Sequence, residues 1–230
     1  MWVFPLLATL VAAAFAVMLA KQFAIRRGQP QLLWAIAMAM FALASLALTV
    51  GVLSGWTRSW FVAYWAFAQL NIAFLAGGEL VLLFRRQWVL WAVWLVLVFV
   101  TAFTFAVLRG APVHPEAFAD QLPLGRDVFG GGSSAHRLAQ VVAYPAYVIL
   151  LLGTLWSAWK MRGRPELKDR FVGTLLIAVG ATIVAAGSAF AATGILLGFS
   201  LTIVAGISVM FGGFVRASRR APAPRPVQTS

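Results

Sequence analysis

Glu79 is the one carboxylate inside the long apolar runs of this chain, in a stretch, 60–84, that also carries Tyr64, Gln69 and Asn71. Hydrocarbon cannot solvate an ionised group, so a carboxylate there points to an ion or ligand pathway. At ~100° per residue, Glu79 is displaced by about 80° from Asn71, which shares a stripe with Tyr64 and Gly78. Asn71 and Glu79 are therefore expected to line one broad cavity, with Gln69 facing nearly opposite Asn71. The chemistry such a set offers is uptake of a proton or cation, or anchoring of a polar ligand. Thr202, at a comparable position in the last apolar stretch, joins the candidates. The bland alternative is an ion pair between Glu79 and Arg86 or a neighbouring loop cation, fixing helix ends and nothing more.

Other chemistry finds little support. The metal-capable residues His114, Glu116, Asp120, Asp127 and His136 fall in one loop, but their spacing matches no zinc signature. No histidine lies well inside an apolar run, which argues against haem held within the membrane. Zero cysteines exclude disulfides and thiolate metal sites. Gly130-Gly131-Gly132-Ser133-Ser134 lacks the strand–loop–helix setting and the lysine of a phosphate-binding loop, and reads as a linker. No nucleophile–base pair or metal set assembles, so an enzyme is not expected, and neither cofactor nor metal is called for.

What must position these residues is a membrane bundle. The 230 residues are 62% hydrophobic and 10% charged, where a soluble domain is nearer half and a quarter. Seven apolar stretches are long enough to span, at about 2–20, 32–54, 60–84, 88–108, 136–159, 171–193 and 195–215. The expected fold is all-α, one seven-helix transmembrane domain over 1–215. A loop over 109–135 and a basic Pro/Ala-rich tail over 216–230 complete the chain. No Lys or Arg precedes the first stretch, so it is read as a retained helix and not a signal peptide. Pro115 is expected to open a short helix in the loop, Ser133 or Ser134 to cap the fifth span, and Pro145 to kink it.

The net charge of +12 is explained by topology without nucleic acid. Lys21, Arg26, Arg27, Arg85, Arg86, Lys160, Arg162, Arg164, Lys168, Arg170, Arg216, Arg219, Arg220 and Arg225 fall on one side of a seven-span threading. Only Arg58, Arg109, Arg126 and Arg137 fall on the other. The asymmetry predicts an outer N-terminus and a cytoplasmic C-terminus, with the basic loops meeting anionic lipid headgroups.

Two patterns bear on packing. Gly173, Gly180, Gly187 and Gly194 recur every seven residues along the sixth span. Small residues let helix backbones approach closely in lipid, and Ser208 with Gly212 offers a matching pair on the seventh. Spans one to three and five to seven also share a layout, suggesting a 3+1+3 arrangement like that of SWEET transporters.

Further residues resemble a known group. Asn71 with Gly78, Leu122-Pro123-x-Gly125-x-x-Val128-Phe129-Gly130, Trp156-Ser157-Ala158, Leu176-Ile177-Ala178 with Gly180, and Val209-Met210-Phe211 to Gly213-Phe214 are similar to a family of uncharacterised bacterial seven-helix membrane proteins. The resemblance runs from residue 32 onward and implies a topology and a bacterial inner-membrane location, with no established activity. It differs at Glu79, where the family carries Ser or Thr.

Three functions follow as expectations. The first is a sensor of a small hydrophobic ligand or lipid, or an accessory subunit with a protein partner. The second is a small-solute transporter of 3+1+3 architecture. An intramembrane enzyme comes last.

Overall fold

The computed structural model describes residues 2–119 and 121–218, and those residues are helical with no strand. Seven helices are long and apolar enough to cross a membrane, which makes this a multi-pass membrane protein. They are α1 (Val3–Arg26), α2 (Gln29–Ser54), α3 (Arg58–Phe84), α4 (Gln87–Gly110), α6 (Ser134–Met161), α7 (Lys168–Ala192) and α8 (Leu196–Ala217). A short α5 (Gly125–Phe129) lies between α4 and α6, after a 3₁₀ turn at Pro115–Ala119.

Most helices run past the ends that hydrophobicity alone suggests. The first continues through Lys21 to Arg26 instead of stopping near residue 20. Lys and Arg are good helix formers whose long stems stay beside apolar surface while the charge reaches water. The stops are local. Arg27 and Arg85 adopt left-handed φ of 52° and 40°, and their N–H groups close the last turns onto Phe23 O and Val81 O. Thr57 caps α3 by accepting from Trp60 N, and Ser133, rather than Ser134, caps α6 by accepting from His136 N. α6 is continuous through Pro145. Of the tail, Arg219, Arg220 and Arg225 lie outside the described residues, as does Asp120.

Packing closes a ring. Each of α1, α2, α3, α6, α7 and α8 packs on its two neighbours in that order, and α8 returns to α1. α4 stays outside, against α3 and α6. Its outward face exposes Trp88, Trp91, Leu95 and Phe99, a surface suited to lipid and not to water. The short connectors place Lys21, Arg26, Arg85, Lys160, Arg170 and Arg216 at one end of the ring, called the basic end below. Residues 111–119 and 121–133 cover the other, the loop end.

The α7–α8 pair is the closest. A Cβ on Gly180 would lie 2.6 Å from Gly206 O, and one on Gly213 would lie 2.6 Å from Gly173 O. Each helix therefore presents glycine where the other presents backbone. On α8 the contact is made by Gly206 and Gly213. Ser208 and Gly212, the pair expected there, are exposed, with open space beside Gly212. One helical turn holds both choices, and only the rotation of α8 about its axis decides between them. Gly187 faces Thr202, while Gly194 lies beyond α7 in a left-handed turn with φ 73°.

Candidate functional site

Two cavities lie inside the ring, one toward each end. Along every shared helix the lining passes from one to the other: Trp34 to Phe41, Leu75 to Ile72, Leu150 to Tyr147, Ile177 to Val184 and Met210 to Ile203. At the levels between sit the buried side chains of Met38, Ala181 and Ile207. The cavities are thus stacked along the ring with an apolar layer between them.

The loop-end cavity holds about 680 Å³, within the range of small-molecule sites. α3 supplies Tyr64, Trp65, Gln69 and Asn71, α2 supplies Phe41 and Ser45, and Tyr144, Tyr147 and Phe199 add aromatic rings to a wall that is otherwise largely aliphatic. Leu122, Pro123, Leu124 and Gly125 roof it. Hydrogen bonds to backbone carbonyls hold the loop and the helix ends that flank it. Trp56 Nε1 donates to Gln121 O at 3.0 Å, Trp65 Nε1 to Ala135 O at 3.1 Å, and Arg58 to Arg109 O at 3.1 Å. Beneath it Phe61 is fully buried against Trp56, Trp65, Phe118 and Phe129. Gly125 is required because a Cβ there would collide with the Trp65 ring.

Gln69 is the outstanding group in this cavity. It is 5% exposed, and neither Oε1 nor Nε2 has a hydrogen-bond partner. A buried polar atom left unpaired costs about 1–3 kcal/mol, so native proteins seldom leave two on one side chain. Asn71 differs. Its Nδ2 donates to Phe67 O at 3.0 Å and Ala68 O at 2.7 Å on its own helix, which leaves Oδ1 for another group. Tyr64 packs edge-on to Trp56 and Phe199.

The basic-end cavity, about 590 Å³, contains Glu79. Glu79 is 3% exposed, and its Oε1 accepts from Ser157 Oγ of α6 at 3.0 Å. Gly153, one turn before Ser157, supplies the space: a Cβ there would strike Glu79 Cγ. Trp34 fills the hollow over Gly78 and donates from Nε1 to Leu75 O at 3.2 Å.

Several expectations are revised by this geometry. Asn71 and Glu79 line different cavities, because eight residues of helix separate them by ~12 Å of rise as well as by angle. Gln69 and Asn71 line the same one. No ion pair joins Glu79 to Arg86 or to another cation among the described residues; the partner is a hydroxyl. Thr202 points its Oγ1 back to Gly198 O and Phe199 O, at 3.1 and 2.8 Å, and packs under Gly187 outside both cavities. In the loop, His114 Nδ1 lies 3.4 Å from Glu116, Asp127 pairs with Arg126, and His136 stacks on Trp65.

Sequence reasoning missed the seat of Glu79. Its signal was the small-xxx-small spacing of Gly153 and Ser157, the same pattern sought on the later spans. Comparison with protein-family models, with curated proteins and with solved structures finds no match.

Proposed function

We propose that this membrane protein binds a small, uncharged solute with a flat apolar body and amide- or hydroxyl-like polar groups, and moves it along the ring as a 3+1+3 transporter. The observation that carries the reading is the unpaired Gln69 amide in an apolar cavity whose wall includes Phe, Tyr and Trp rings. A solute offering one donor and one acceptor would satisfy both atoms, and rings would stack on the surrounding aromatic faces. Carboxylates are absent from the described lining of that cavity, and Arg126 near the roof is the only Lys or Arg in it, which favours a neutral ligand.

Transport is supported by the ring itself. Helices α1–α3 and α6–α8 follow one another round it in the same cyclic order with α4 left outside, as two parallel repeats and a linker would. Stacked cavities separated by a thin apolar layer fit alternating access, in which one half rocks against the other. The cation asymmetry supports an outer loop end and a cytoplasmic basic end, and the resemblance noted above is what suggests a bacterial inner membrane.

A second reading, a sensor, is favoured by the roof of tied-down loop and by the closure at Met38 and Ile207. One experiment separates the two. Purified protein is screened by thermal unfolding against nucleosides, nicotinamide and indole derivatives, and each stabilising compound is followed by counterflow in proteoliposomes. Binding with counterflow supports the transporter, binding without it supports the sensor, and no stabilisation by any uncharged aromatic compound rejects both.

A further inference from the structure

The basic-end cavity has a feature unrelated to neutral solutes. Arg26 of α1, Arg85 at the end of α3, Lys160 of α6 and Arg170 of α7 converge on its lining from four different helices. None of them lies within 4.0 Å of a carboxylate among the described residues, whose ion pairs are His114–Glu116, Arg126–Asp127 and Arg216–Asp169. Glu79, the one acid in the lining, is buried and engaged by Ser157, so even if ionised it offsets only one of the four charges. Like charges gathered at the rim of a hollow with an apolar wall focus a positive potential into it, even where solvent screens their mutual repulsion. Behind them the wall turns apolar, with Phe15, Leu19, Leu75, Met210 and Phe214.

From this juxtaposition we infer that the basic-end cavity is a binding site for a phosphate-bearing amphiphile. The phosphate sits among the cations and the apolar portion lies against the Phe15–Phe214 wall. Arginine suits the task because its planar fork donates two parallel hydrogen bonds to phosphate oxygens. Cations at a cytoplasmic helix end normally need no ligand. Arg162 and Arg164, at the same end and equally exposed, take no part in the lining, so what sets the four apart is the cavity they share. The ligand chemistry has two sources, a phospholipid headgroup from the leaflet or a soluble alkyl phosphate ester.

The test is calorimetric titration of the full chain, purified in neutral detergent, with hexyl phosphate and with inorganic phosphate. Binding of hexyl phosphate at one equivalent is expected, at least tenfold tighter than inorganic phosphate. The double variant Arg26→Gln/Arg170→Gln should weaken it at least tenfold, and Arg162→Gln/Arg164→Gln less than twofold. All four side chains are exposed, so both variants should fold, and thermal unfolding checks this. Lys160→Gln alone, whose ammonium lies over the Trp156 ring at 5.2 Å, gives a second, milder test with a loss of the same sign. Displacement of hexyl phosphate by phosphatidylglycerol, but not phosphatidylcholine, identifies the lipid source; failure of both to displace it identifies the soluble one. Absence of stoichiometric binding, equal losses in the two double variants, or inorganic phosphate binding as tightly as hexyl phosphate overturns the inference. Solute binding in the loop-end cavity rests on other residues and is tested separately, while the transport reading shares the basic-end cavity with this ligand.

Discussion

Ser157 Oγ donates a 3.0 Å hydrogen bond to Glu79 Oε1 across the α3–α6 interface, in a space that exists because residue 153 is glycine. The pair joins the two halves of the ring at the basic end.

Glu79→Gln preserves an acceptor for Ser157 and should shift stability by no more than about 1 kcal/mol, while abolishing solute flux. Ser157→Ala leaves the buried carboxylate without its partner and should cost about 1–3 kcal/mol. Thermal unfolding and counterflow measured together decide the matter. A Glu79→Gln protein that melts earlier yet transports normally would assign the residue to structure alone.

Gln69→Leu removes two unsatisfied polar atoms from an apolar wall. Replacing such a group by hydrocarbon is neutral or stabilising, so the melting temperature should hold or rise. Solute binding should nevertheless fall at least tenfold. Loss of fold with binding retained in the surviving fraction would show that Gln69 has a structural partner instead.

Gly180→Ala and Gly206→Ala each drive a methyl into the facing backbone and should destabilise by about 1–3 kcal/mol, the usual cost of overpacking. Gly212→Ala meets nothing within 4 Å, and with Ser208→Ala should stay within about 0.5 kcal/mol. Unfolding midpoints of the four variants provide the check, and a Gly212→Ala protein as damaged as Gly206→Ala would mean that α8 is rotated from the orientation described.

The chain has no cysteine, which makes labelling of single introduced thiols clean. Gly131→Cys, in the exposed part of the loop, should react with a membrane-impermeant maleimide in intact cells. Arg164→Cys should react only after lysis. The reverse pattern would invert the orientation inferred from the cations.

Much of the architecture was legible from residue order. Hydrocarbon leaves the backbone no partner but itself, so long apolar runs must be helices, and the two-residue break at Arg85-Arg86 forces α3 and α4 to run antiparallel. The heptad of glycines on α7 likewise announced a close helix contact, since no other residue permits the approach seen at Gly173 and Gly180. Tertiary structure alone decided what each helix turns inward. In a soluble protein the polar stripe marks the outside, but here both lipid and core are apolar, so the sequence of α8 does not say whether Gly212 or Gly213 faces α7. The same ambiguity hid the separation of Asn71 from Glu79, the shared cavity of Asn71 and Gln69, and the seat that Gly153 and Ser157 make for a carboxylate 78 residues away in the chain. Those relationships depend on the packing of helices distant in sequence, and only the closed ring determines them.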